Sequence, residues 1–456
     1  MGHRDDLRAR IPKQVSHVFA VYDIPYVFPA RPTFTGIRRI FPLRISSAHA
    51  SGCHDLAIEF ANKLHWGVGI LGTFRFLLAL SVALGHFGTI SGYYMMNGRM
   101  AVQCFYMVSG FLISLVLSHK YDPSTPEGRW LFYTNRALRI FVPYWSFCLI
   151  ILIAYAVIYL VFGTRFGVMV AFSQYWPEMT LPTRIYLLLS NILIVTQEWS
   201  MWLAYQSGAI VPVLNSDPYA LHLGNFEVIP QAWSVSLELM FYAIAPFLIR
   251  RHWLVLVTIV VATYLLRSGA TAYGFDGSGF AYRFFPFEIG LFLAGALSHR
   301  AYAYLESRGL ASLPLSLAIS ALLIGVVLIQ QFIDSLDNHK FYLLVAVGLP
   351  ALFYVFRRSR FDSWLGELSY PIYLAHLFIG QAVMTFVSGS VENRNWVAIT
   401  AVGATILLAI AYVRWVDAPF EGWRQRRATR GNQERTRAAT ASAGLDIALA
   451  GRSAPA

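Results

Sequence analysis

FRFLLALSVALGH, residues 74–86, is an apolar run of membrane-span character that carries Arg75 near its start and His86 at its end. At about 100° and 1.5 Å per residue, the steps from Arg75 to His86 return almost to the same helical face and climb roughly 16 Å. The spacing predicts one helix with both side chains on one stripe, at two depths.

Composition puts that run in a bilayer. The chain is 57% hydrophobic and only 13% charged, where a soluble domain carries roughly 25% charge. Further apolar runs make ten in all, near 69–90, 100–118, 140–163, 233–249, 253–268, 283–299, 311–331, 341–356, 368–386 and 397–415. Each is read as a transmembrane helix. An eleventh run, IYLLLSNILIVTQ (185–197), is broken by Ser190 and Asn191 and falls short of the roughly 20 residues a span needs.

Charge decides how that run is placed. If it does not cross, the loops 120–139, 250–251, 300–308 and 357–360 share one side with both tails and hold eleven Lys and Arg, whereas the opposite loops hold five against eight Asp and Glu. The positive-inside bias then makes the basic side cytoplasmic. The expected fold is an all-α integral membrane protein of about ten transmembrane helices plus one short re-entrant or interfacial helix, both termini cytoplasmic, multi-pass in the cell's inner membrane. The same bias accounts for the net charge of +12 without nucleic acid as a partner. Residues 1–66, mixed in charge, are expected to be a cytoplasmic arm or an over-extended start. The middle, 67–423, is expected to be the transmembrane domain, and 424–456 a basic disordered tail.

Several catalytic classes drop out. Cys53, Cys104 and Cys148 share no C-x-x-C spacing, so no disulfide framework or metal site is expected. P-loop, H-E-x-x-H and G-x-S-x-G motifs are absent, which removes nucleotide-hydrolase, zincin and serine-elbow chemistry.

An ionisable group inside the hydrocarbon is costly and marks function by default. In the expected topology Arg75 lies in the inner half of its span and His86 near the outer end. WSVSLELMFY (233–242) brings Trp233, Ser234, Glu238, Phe241 and Tyr242 to one helical face. Running inward, it carries Glu238 to a depth comparable to that of His86, either as the carboxylate that orients an imidazole base or as an ion-pair partner of Arg75 or Arg283. NRALRIFVPYW (135–145) sets Arg136 and Arg139 on one face at the inner boundary, where guanidinium forks hold phosphates and where topology and lipid headgroups also select arginine. Outside, Trp199, Trp202, Tyr205 and Tyr219 offer aromatic faces suited to sugar rings, which aromatic belts at membrane interfaces also provide.

Taken together these stretches resemble the acyltransferase type 3 family of integral-membrane enzymes, which includes bacterial O-antigen and nodulation-factor O-acetyltransferases. The likeness covers roughly 68–423 and rests on Arg75 and His86; CFYMVSGFLIS; Arg136 and Arg139 before Pro143-Tyr144; Trp233, Ser234, Glu238, Phe241 and Tyr242; LGELSYPIYLAH; and VDAPFEGW. Two departures stand out: Leu239 where relatives often carry a second acid, and Asp417 where a glutamate is usual. The chain looks like the version without an appended hydrolase-like domain.

The resemblance implies an O-acyltransferase that moves an acyl group, commonly acetyl, from cytoplasmic acyl-coenzyme A to a hydroxyl of a cell-surface or lipid-linked glycan, with no permanently bound cofactor. It implies His86 as general base, with Glu238 and Arg75 in the catalytic centre, or a relay through an acyl-histidine. Acyl-coenzyme A would be bound by Arg136, Arg139, Ser109, Gly110, Tyr370, Tyr373 and His376, the Ser109-Gly110 step permitting close approach. Trp199, Trp202 and Trp233 are the acceptor-binding candidates. A transporter or flippase of lipid-linked glycans is the alternative from another class, and would need no coenzyme A site.

Overall fold

The computed structural model describes residues 71–213, 220–274, 280–333, 337–387, 394–420 and 422–423. The expected arm, the expected tail and Tyr219 lie outside them. The helices are α1 (Gly72–Phe87), α2 (Gly98–His119), α3 (Pro126–Phe162), α4 (Val168–Tyr175), α5 (Leu181–Leu193), α6 (Trp233–Leu248), α7 (Trp253–Ala272), α8 (Phe280–Arg283), α9 (Phe285–Ser307), α10 (Leu313–Ile329), α11 (Asn338–Phe356), α12 (Arg360–Val387) and α13 (Arg394–Tyr412). Every one of the ten apolar runs falls on a helix. Six segments among the described residues are long and apolar enough to cross a bilayer: α2, α3, α7, α10 with its continuation to Phe332, α11, and Asn395–Phe420. The chain is an all-α membrane protein.

Burial separates the helices that form the core from those that meet lipid. In α2 83% of the most apolar stretch is buried, against 17% in α3 and 11% in α7. Leu152, Ile153 and Leu160 of α3 and Leu265 and Leu266 of α7 are exposed, which only an apolar solvent tolerates over so many residues. The tightest packing joins α2 to α9, α12 to α1 and α13, and α9 to α7.

Glycines set the distance between α2 and α9. A Cβ on Gly110 would lie 1.8 Å from the Phe292 carbonyl oxygen, and one on Gly295 would lie 1.8 Å from that of Met107. The two backbones therefore touch where each lacks a side chain. Gly295→Val forces them apart and is expected to cost about 1–3 kcal/mol or more, read as a lower midpoint of thermal unfolding in detergent. An unchanged midpoint contradicts the contact.

Long-range capping fixes the start of α1. Leu71 precedes it in a left-handed conformation with no side-chain cap of its own. The backbone N–H groups of Gly72 and Thr73 instead donate to Asp362 of α12, at 2.8 and 2.7 Å. A carboxylate there satisfies two orphan donors and meets the positive end of the helix dipole.

Helix α3 begins well before the apolar run at 140. Thr125 accepts from the Gly128 N–H at 3.0 Å and Pro126 opens the helix, a start signal independent of hydropathy. Its 37 residues span about 55 Å, so Arg136 and Arg139 stand on a rigid helix rather than a loop. Helix α5 takes in the broken run from 185 as far as Leu193. Leu181, Ile185, Leu188 and Ile192 are exposed along one side, while Thr183, Leu187 and Ser190 are buried. Asn191, one of its interruptions, donates to the Phe226 carbonyl and accepts from the Val228 N–H, tying α5 to the segment before α6. A short helix with one apolar outer face suits a membrane interface.

One small sheet departs from the all-helical expectation. Strands β1 (Leu203–Gln206) and β2 (Ala209–Pro212) pair antiparallel. Ser207 and Gly208 both have positive φ, 47° and 87°, the signature of a two-residue type I′ turn.

Candidate active site

A cavity of about 1270 Å³, mouth included, opens between α1, α2, α3, α6 and α12. Each wall comes from a face dictated by helical spacing. Ser234, Glu238 and Tyr242 succeed one another every four residues along α6, and Glu367, Tyr370 and Tyr373 every three along α12. Arg75, Ser109, Arg136 and Arg139 complete the polar wall, with Asp417 from beyond α13.

Glu238 is the polar centre of this cavity. It accepts from Ser109 Oγ at 2.7 Å and from the Tyr242 hydroxyl. It is the carboxylate acting most strongly on the buried Arg75, with Asp362 the next. Arg136 lies 5.8 Å from the Tyr242 ring and 5.9 Å from that of Phe132. Its Nε is buried with no hydrogen-bond partner among the described residues, a donor still available to an anion. The lining carries three arginines against three acids, Glu238, Glu367 and Asp417, so its formal charges balance.

His86 stands outside this lining, at the far end of α1. Its ring centroid is 5.3 Å from that of His376, the planes tilted by 36°, and Arg283 is a charge within electrostatic reach of it. The connection back to the cavity runs through Tyr373, whose ring is 5.7 Å from His376 and whose oxygen is 2.6 Å from Ser234 Oγ.

Four expected placements change. Glu238 sits beside Ser109, midway along α2, rather than level with His86, because α6 is only 16 residues long and starts inside the bundle after the turn at Pro230–Ala232. Gly110 is occupied by the backbone of α9 and does not line the cavity. His376 likewise leaves the lining and packs on His86. Of the acceptor candidates, Trp233 is 6% exposed and Trp202 8%; Arg283 lies 4.2 Å over the Trp233 ring. Trp199 is the exposed one, edge-on to Trp202 at 5.6 Å.

Arg283, Asp362 and Gln231 lie outside the cavity lining but hold residues around it in place, without having been singled out as functional. Arg283 links Trp233 and His86 to the outer segment, where burial pushes the Glu227 carboxyl well above the usual carboxylate range while Arg283 acts against that rise. Gln231 donates to the carbonyls of Tyr373 and Leu374 at 3.0 and 2.8 Å. No short-range pattern marks such contacts across more than a hundred residues of chain.

A family model for an acyltransferase domain matches residues 70–414. A protein of Aquifex aeolicus (strain VF5) with the description "uncharacterized protein" is 26% identical over 189 residues, 41% of this chain and 83% of its own length. No solved structure matches the chain.

Proposed function

Since this chain belongs to the acyltransferase type 3 family of membrane acyltransferases, we propose that it moves an acyl group, commonly acetyl, from cytoplasmic acyl-coenzyme A to a hydroxyl of a cell-surface or lipid-linked glycan. The observation that carries the donor half is the cavity wall shared by Arg75, Arg136 and Arg139, with the open Nε donor of Arg136. Coenzyme A brings phosphates that suit guanidinium forks. Its pantetheine arm then follows the cavity past Ser109 and Tyr370 toward Tyr373, and the thioester comes to rest below His86.

There His86 takes the proton from the acceptor hydroxyl as its oxygen attacks the thioester carbonyl. When the C–S bond breaks, the imidazolium returns that proton to the leaving thiolate, so the reaction needs no outside proton source. Glu238, through Ser109, Tyr242 and Arg75, holds the channel between the two ends. Trp199, exposed on the outer side, is the surface on which a sugar ring stacks.

In this reading the ten apolar helices all cross an inner membrane and both termini are cytoplasmic. In a background lacking native cysteines, an impermeant thiol reagent applied outside labels Ile192→Cys and reaches Arg250→Cys only after permeabilisation. The opposite pattern inverts the topology and takes the cytoplasmic donor with it. The function itself is tested by giving radiolabelled acetyl-coenzyme A to membranes with and without the protein and counting glycan-bound label. Label that does not depend on the protein returns the chain to the carrier class.

A further inference from the structure

A buried imidazole beside His86 has one nitrogen committed and the other open. His376 is 0% exposed, and its Nδ1 lies 2.8 Å from the Tyr373 carbonyl oxygen. A carbonyl only accepts, so Nδ1 bears the hydrogen and, in the neutral ring, Nε2 bears the lone pair. That Nε2 is buried and has no hydrogen-bond partner among the described residues, a state in which buried polar atoms are seldom left.

The tautomer is held firmly. The Tyr373 carbonyl also accepts from Gln231 Nε2 at 3.0 Å. The Tyr373 hydroxyl donates to the Gln231 carbonyl at 2.8 Å and lies 2.6 Å from Ser234 Oγ. The start of α6 thus grips the turn of α12 that presents His376.

We propose that His376 is the positioning residue for His86: its Nε2 accepts an N–H of the His86 imidazole, fixing that ring's tautomer so that the other nitrogen is the one that takes a hydroxyl proton. The inference rests on the acyl-transfer reading for its purpose, though not for its geometry. An N–H···N bond between two imidazoles sets their centroids roughly 5 Å apart, about 1.1 Å from each ring plus ~3 Å for the bond. The observed spacing is 5.3 Å, which matches that bond once the His86 ring turns an N–H toward Nε2. A neutral imidazole thereby occupies the place a carboxylate takes in a hydrolytic triad, holding the base in orientation and steadying the imidazolium formed in the transition state.

Two variants of the full-length protein in detergent separate this role from packing. His376→Phe keeps a ring and removes the acceptor; His376→Gln keeps an acceptor oxygen near the Nε2 position. The expected result is a fall in kcat on the order of 10²-fold for His376→Phe, with the donor KM unchanged, and recovery of about tenfold or more of that loss in His376→Gln. Equal losses in the two variants, or full activity in His376→Phe, overturn the proposal.

A second measurement needs neither turnover nor a replaced His376. In protein labelled with ¹⁵N-histidine, His376 is expected as the Nδ1–H tautomer, with an Nε2 resonance that moves when His86→Ala removes its donor. Protonation at Nε2, or a resonance indifferent to His86, overturns it. Normal turnover in His376→Phe alongside full dependence on His86 removes this inference and leaves acyl transfer standing. A wild type that consumes no acyl-coenzyme A removes the reading beneath it, and the ¹⁵N signature still decides the contact.

Discussion

His86→Ala lowers the turnover of acyl transfer by roughly 10²-fold or more while the protein still folds. The loss corresponds to about 2.7 kcal/mol of barrier, the usual worth of a positioned base that takes a proton as the nucleophile attacks. Folding is expected to survive because the contacts that fix α1 are made by residues other than His86, the second-last of the helix. Those are the Asp362 cap at its N-terminus and the buried Phe74, Leu78, Ala79 and Val82. The donor KM should change little, since the arginines that meet the phosphates lie at the opposite end of the stripe. Steady-state transfer from labelled acetyl-coenzyme A checks both halves. A variant with wild-type kcat relieves His86 of any part in proton transfer, and a variant with raised donor KM alone makes it a binding residue.

Arg136→Glu with Arg139→Glu has the second large effect, on the other kinetic constant. Charge-assisted hydrogen bonds to phosphate contribute roughly 1.5–3 kcal/mol each, so reversing both charges is expected to raise the donor KM on the order of 10²-fold while kcat at saturating donor stays within about threefold. Arg136 should carry more of the effect, because its Nε is a wall donor without a protein partner among the described residues. Arg136→Lys separates charge from geometry, since a lysine keeps the charge and lacks the fork. Its KM is expected between the two extremes. An unaltered donor KM in the double variant leaves both residues as topology signals or headgroup contacts.

Much of the architecture was legible because a membrane writes its demands locally. The ten apolar runs fall on helices, six segments among the described residues being long and apolar enough to cross a bilayer, and Ser190 with Asn191 marked the short α5. Arg75 and His86 fall near the two ends of a single helix, as their spacing required. What escaped the sequence was contact between distant segments. The cap on α1 comes from Asp362, nearly three hundred residues away. Gly110 reads as room for a ligand until Phe292 is seen against it. Glu238 seemed level with His86 because periodicity gives the face of α6 but not the depth at which that helix begins. His376 reads as a candidate on the donor path beside Tyr370 and Tyr373, and only its distance from His86 shows which ring it meets. The hairpin at 203–212 was signalled by Ser207-Gly208 between two short apolar stretches, and was hidden by the aromatic residues around it, which fit an interfacial belt equally well.

The most direct measurement uses sealed vesicles with the protein in one orientation and an acceptor glycan on the face opposite Arg136 and Arg139. Labelled acetyl-coenzyme A is supplied to one face at a time. Donor on the arginine face should label the glycan across the membrane in wild type and fail to do so with His86→Ala. Labelling only when donor and acceptor share the outer face, or none from either side, contradicts a base in the bundle meeting a thioester that enters from the cytoplasm.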